Sequence, residues 1–193
     1  FLQIVKYPHP TLRHKSQPVR CVDAELRDTI RTMFKLMYEA QGIGLAANQV
    51  DLPLRLFVIN LSAEHEAETE QVFINPVISH PQDHTEQEEG CLSLPSLYGP
   101  VRRPRKVRVE AYGLAGEHLA ADLDGLPARV VQHELDHLDG ILFIDRMDKA
   151  AQEQVEVDLA AFETEFQQLR EADEIPSDDQ IQARLLEWQT KYC

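Results

Sequence analysis

Cysteine is scarce in this sequence: Cys21, Cys91 and Cys193 stand far apart and are odd in number. Such a set makes a poor disulfide framework and suits a reducing compartment, with thiols left over as metal ligands or nucleophiles. Long apolar runs are also missing. None approaches the roughly 20 residues of a membrane span, so no membrane association is expected. The opening FLQIV is too short for the hydrophobic region of an export signal. Because the chain starts at Phe1, the complete translation product is expected to be longer. Basic residues are few, 19 Lys and Arg against 33 Asp and Glu, and the formal charge of −14 would repel a phosphate backbone. Direct nucleic-acid binding is therefore not expected. Internal repeats and low-complexity segments are absent too. What is present, 193 residues with 43% apolar and 27% charged side chains, fits one soluble globular domain.

The proline-rich YPHPTLRHKSQPV near the start reads as an extended, turning arm. In residues 23–42, Leu26, Ile30, Met33, Phe34 and Met37 recur with the helical period, Asp23 is placed to cap the start and Gly42 falls just past the end. PLRLFVINL and QVFINPVI read as strands, joined by an acidic, exposed loop around SAEHEAETEQ. KVRVEAYGLAGEHLAADL alternates around a glycine-bearing turn, as a hairpin does. RRPRKVR reads as one polar strand face rather than a phosphate patch. A further helix is predicted from Pro127 through His137 to a stop near Gly140. In the tail, Val155, Leu159, Phe162, Phe166 and Leu169 form a heptad-like stripe, and EIPSDD interrupts it before a short IQARLLEW segment. Strands first, with helices at both ends, predict an α+β fold.

VVQHELDHLDG carries the chemistry. On a helix, positions i and i+4 share a face, so His133 and His137 can converge on one cation. Glu134 points about 100° round the helix and can reach an activated water without ligating the metal. Two histidines that bind nothing are the plain alternative. A catalytic site needs a third protein ligand and one open position. The metzincin signature would put a histidine where Phe143 stands, so that reading fails. Spacing leaves Glu153, Glu156 and Glu163 open as carboxylate ligands, although they read as the solvated face of an acidic helix. Cys91, in EEGCLSLP, offers a thiolate that suits a divalent first-row metal beside two imidazoles. Alone, such a cysteine reads as buried filler. It gains weight from company, because GIGLAANQ, EGCLS and QHELDH occur together and in this order.

These three stretches, at residues 42–49, 89–93 and 133–137, resemble the motifs of the peptide deformylases without a mismatch, and the resemblance runs over roughly residues 2–148. It implies antiparallel or mixed β-sheets packed around a central helix carrying H-E-x-x-H, with one N-terminal and one C-terminal helix. It implies that Cys91, His133 and His137 bind one divalent metal ion, Fe2+ in the cell, with Zn2+, Ni2+ or Co2+ able to occupy the same ligands. Glu134 would move the proton between water and the departing amine. The Gln49 side-chain amide and the Leu92 backbone N–H would stabilise the charge that develops on the carbonyl oxygen. Gly44, within GIG, and Gly90 would let the substrate main chain approach, and Ile43, Leu126 and Val130 would wall the pocket for methionine. Arg129 departs from the apolar residue expected in that wall. Glu89 and Arg103 would form an ion pair holding the cysteine loop.

The implied reaction is hydrolysis of formyl-methionyl peptides on nascent chains to formate and a free amino terminus. The implied setting is the bacterial cytoplasm or an organelle, and the enzyme is expected to be a monomer. A zinc peptidase cleaving internal bonds is the competing reading of H-E-x-x-H, and a non-catalytic relative with a structural metal is another. Residues 1–148 are taken as the catalytic domain and 149–193 as an acidic helical extension packed on it. That tail holds acids in such excess that ribosomal RNA is a poor partner for it.

Overall fold

Asp23 opens the first helix as the sequence predicts: its Oδ1 accepts the Leu26 N–H at 2.8 Å, which satisfies one of the donors a helix start leaves free. In the computed structural model, which describes residues 2–62 and 67–193, this helix is α1 (Ala24–Glu39). Two short strands follow, β1 (Gly44–Ala46) and β2 (Leu56–Ile59), with a 3-10 turn at Ala47–Val50 between them. Then come two long strands, β3 (Gln71–Cys91) and β4 (Leu94–Tyr112), and the shorter β5 (His118–Asp124). Four helices complete the chain: α2 (Leu126–Leu138), α3 (Phe143–Arg146), α4 (Lys149–Glu171) and α5 (Asp178–Tyr192). Residues 63–66 of the predicted acidic loop lie outside the described part.

All five strands join one antiparallel sheet in sequence order, and the fold class is α+β as expected. The parallel element among the described residues is a single bridge between Gln17 and Leu54. Both faces of the sheet's first half are covered. Leu45, Leu56, Val58, Val72 and Ile74 meet the apolar stripe of α1. Their neighbours Ala46, Phe57, Ile59 and Phe73 meet Val130, Val131 and Leu138 of α2. Side chains alternate across a strand, so a strand sandwiched between two helices must be apolar throughout, and LFVI is buried at every position.

The hairpin KVRVEAYGLAGEHLAADL forms as predicted, with Lys106 opposite Asp124 and Tyr112 opposite His118. The polar-face reading of RRPRKVR needs one correction. Arg103 points inward and is 3% exposed, because it pairs with buried acids. β3 runs farther than the sequence suggests. Pro76 and Pro81 cannot donate to a ladder, and bulges accommodate them: the register shifts between Ile74 and Val77 and again between Ser79 and Gln82. Asn75, His80 and Asp83 take the left-handed backbone at these points, which short polar residues tolerate best.

The tail helices pack on this body. Val155 of α4 is buried with Leu12, Leu97 and Phe143, and Leu159 and Phe162 lie half-buried against the same cluster. Tyr192 of α5 is 1% exposed among the α1 residues, and its hydroxyl donates to Asp23 Oδ1 at 3.0 Å.

Candidate metal centre

Helix α2 begins with Pro127 in its first turn, where a missing N–H costs nothing, and ends before Gly140, whose φ of 73° suits a left-handed stop. Its core-facing stripe is Val130, Val131 and Leu138. The same face that enters the core carries His133 and His137 one turn apart, with ring centroids 4.9 Å from each other. Opposite them lies the tip of the β3–β4 hairpin. Cys91 pairs with Leu94, so Leu92 and Ser93 make the two-residue turn and the thiol sits at the very end of β3. The Cys91 sulfur is 3.3 Å from His137 Nε2. The donor atoms of Cys91, His133 and His137 all lie within 4.8 Å of one another. Glu153, Glu156 and Glu163 are exposed on α4 and do not join that group, which removes the carboxylate-ligand alternative.

The surroundings fix each donor. Glu89 is an acceptor only, so His133 Nδ1 donates to its Oε2 at 3.0 Å and Nε2 is left for a cation. Glu89 also accepts from Arg103 Nε at 2.7 Å and Nη2 at 3.0 Å, and from Arg129 Nη1 at 2.6 Å. The expected Glu89–Arg103 pair is therefore present, within a larger buried network. Burial alone would raise the Glu89 carboxyl, but the bonds from His133 and Arg103 outweigh it and hold the group well below the usual carboxylate range. Arg103 continues to Asp136 at 2.7 Å, and Arg146 closes on the same carboxylate at 2.6 Å. Asp136, inside HELDH, thus serves the scaffold.

The donor set calls for positive charge at its centre. Burial lowers His133, yet hydrogen bonds with Cys91 and Glu89 reverse this and raise it to about 10. His137 is held well below its ordinary value by burial and by His133, which keeps its ring neutral, as a ligand must be. A thiolate, two imidazoles and an adjacent carboxylate satisfy the chemistry of a divalent first-row cation.

Glu134 is 4% exposed, and its Oε2 has no hydrogen-bond partner among the described residues. Burial raises its carboxyl to about 7, with His133 pulling the other way and Glu89 adding to the rise. A buried carboxylate with a free oxygen and an affinity for protons near neutrality is suited to proton transfer. Gly44 makes room for it: a Cβ there would collide with Glu134 Oε1 and stand 2.9 Å from its carboxyl carbon. Gln49 lies in the 3-10 turn, where its Oε1 accepts the Ala46 N–H at 2.9 Å. That bond aims its Nε2 at Cys91 Sγ, 3.4 Å away, and at Ser93 Oγ, 3.2 Å away.

A cleft of ≈ 720 Å³ opens over this centre. It brings Glu134, Gln49, Leu92, Cys91 and His133 together with every predicted substrate residue, Ile43, Gly44, Gly90, Leu126 and Val130. His137 lies beneath it, 1% exposed. Arg129 borders the cleft, and its guanidinium is paired with Glu89. The far wall, Pro95 to Tyr98 near the start of β4, carries no sequence signal of its own, because only the long β3–β4 pairing brings it to the cleft. A second cavity, ≈ 630 Å³, lies between the N-terminal arm and helices α4 and α5 and contains none of the three donors.

Comparison with known proteins agrees with this geometry. A family model described as polypeptide deformylase matches residues 1–153. The peptide deformylase of Rhodopirellula baltica is 44% identical over 191 residues, which cover 99% of this chain and 95% of that protein. Peptide deformylase 1B of Arabidopsis thaliana, named as chloroplastic/mitochondrial, is 39% identical over 184 residues, covering 95% of this chain and 66% of that one. Among solved structures, a peptide deformylase from Plasmodium falciparum matches with a TM-score of 0.83 at 40% identity, covering 86% of this chain and 97% of that one. Similarity of this depth along nearly the whole chain leaves one assignment: the chain belongs to the polypeptide deformylase family, enzymes that remove the formyl group from N-terminal formylmethionine.

Proposed function

We propose that Cys91, His133 and His137 hold one divalent cation, ferrous iron in the cell, and that the residues of the cleft above deformylate formyl-methionyl peptides as nascent chains emerge. The observation that carries this is the clustering of three donors within 4.8 Å beside the unpartnered oxygen of Glu134. Bound there, a cation supplies Lewis acidity and lowers the pKa of water toward neutrality. Zinc, nickel or cobalt would suit the same donors.

Glu134 takes the proton of the attacking water and returns it to the departing amine, a task matched to a carboxyl raised to about 7. The Gln49 amide, held by Ala46, and the Leu92 N–H of the hairpin turn donate to the oxygen on which charge develops. Gly44 lies on the short strand β1 and Gly90 at the end of β3, where a peptide main chain can lie alongside. Ile43, Leu126 and Val130 supply the apolar wall, and two of them, Ile43 and Leu126, are exposed at the cleft.

We further propose that the protein acts as a monomer. Named relatives are bacterial or organellar, and the cytoplasm of a bacterium is our assignment, with an organelle as its counterpart. We place the catalytic unit at residues 1–148 and regard 149–193 as a helical extension that stabilises it.

The test pairs formyl-Met-Ala-Ser with an unformylated peptide of internal bonds, and the wild type with Glu134→Gln. Only the formylated substrate is expected to turn over. The variant should keep its cation and lose about a hundred- to ten-thousand-fold in kcat. Cleavage of the internal peptide, or full activity in the variant, would refute the assignment.

A further inference from the structure

Arg129 stands one helical turn before His133 on the same side of α2. The peptide deformylase resemblance predicts an apolar residue there. The arginine side chain is instead 7% exposed, and its bonds run to the hairpin that carries Cys91. Nη1 donates to Glu89 Oε1 at 2.6 Å and to the Val101 carbonyl at 3.0 Å. Nη2 donates to the Thr85 carbonyl at 2.8 Å and to its hydroxyl at 3.3 Å. Thr85 and Glu89 lie on β3 and Val101 on β4, so one planar fork joins the helix of the histidines to both strands of the cysteine hairpin.

We infer that Arg129 is a positioning residue for the metal centre: it sets the spacing between Cys91 and His133 and holds Glu89 against His133 Nδ1. The inference rests on the reading of Cys91, His133 and His137 as cation donors. Arg103 performs a different part. It belongs to the hairpin itself and ties Glu89 to Asp136, next to His137. Arg129 is the tie on the His133 side, and Glu89, two residues before Cys91, is where the two meet. A lysine could keep a charge near Glu89 but not span the four acceptor atoms on Glu89, Val101 and Thr85, since its donors do not form a fixed fork. The guanidinium is engaged by Glu89 and two carbonyls, so its charge is paired where it borders the cleft.

The test compares wild type, Arg129→Met and Arg129→Lys, each loaded with Co2+. Affinity is measured by competition with a chelator, the thiolate-to-cobalt absorption band is recorded, and kcat and KM are measured with formyl-Met-Ala-Ser. Arg129→Met is expected to weaken Co2+ binding about tenfold or more, because Glu89, the partner of a ligating histidine, loses one of the bonds that hold it in place. It should also shift the thiolate band and lower kcat with KM unchanged, and Arg129→Lys should recover part of the affinity. If the methionine variant does not fold, the lysine variant carries the comparison, with an intermediate loss and a shifted band. Wild-type affinity and an unshifted band in the folded variants would overturn the inference, and a rise in KM alone would overturn it by assigning Arg129 to the substrate pocket. Absence of a thiolate band in the wild type would instead overturn the metal-centre reading, and this inference with it.

Discussion

Replacing Gly44 with alanine isolates one link between the fold and the chemistry. The position lies in β1, and its backbone does not need a positive φ, so alanine brings only a methyl group. That methyl would overlap Glu134 Oε1 and stand 2.9 Å from the carboxyl carbon. Ordinary contact between such atoms is about 3.5–4.0 Å, so the carboxylate has to retreat by roughly an ångström. Displacement of a reacting group on that scale costs about a hundred-fold in rate. The expected outcome is a kcat near a hundredth of wild type with unchanged metal content, measured by formate release from formyl-Met-Ala-Ser. If the loss acts through Glu134, the alanine should add little in a Glu134→Gln background, because both changes disable the same group. A Gly44→Ala enzyme with wild-type kcat, or a full further loss in the double variant, would refute this reasoning.

Gln49→Ala should lower kcat by about a hundred- to a thousand-fold while the protein still binds its cation, if the amide is an oxyanion donor; a change in metal content without that loss would make it a partner of the Cys91 sulfur only. Tyr192→Ala empties a site 1% exposed in the α1 cluster and should cost about 3–5 kcal/mol, read from denaturant unfolding. A cost near zero would show that α5 contributes nothing to the core. His9 links stability to pH. Burial, and then Arg184 and Arg170, lower its folded pKa to about 4 from the ordinary 6.5. Below pH 6.5 the unfolded chain therefore takes up a proton that the folded chain refuses until about pH 4. Stability present above 6.5 is lost across that window, by up to roughly 3 kcal/mol. His9→Asn should flatten the stability profile between those limits, and an unaltered profile would sink the assignment.

The parts legible in the sequence were those set by local spacing. Two histidines four apart with a glutamate between them define one helical face whatever surrounds them, and the structure keeps that face. Asp23 caps α1 because capping depends on three neighbouring residues. The β4–β5 hairpin follows from alternation on either side of a short turn. What the sequence concealed depends on distant partners. Only QVFINPVI of β3 reads as a strand; Pro81 argues against going further, and pairing with β4 through bulges carries it on to Cys91. Nothing in the local sequence marks Asp136 for the buried network that Arg103 and Arg146 complete. Arg129 looks misplaced in an apolar wall until Glu89 arrives from 40 residues away. The apolar periodicity of α4 marks Val155 as a packing residue, but not Leu12 and Phe143 as its neighbours.

The central claim is that one sulfur and two imidazole nitrogens hold a single cation. X-ray absorption at the metal edge of the zinc-loaded protein tests it directly. The account predicts one sulfur at about 2.3 Å and two nitrogens at about 2.0–2.1 Å, with the sulfur lost in Cys91→Ser. A shell of nitrogen and oxygen alone in the wild-type protein would contradict it.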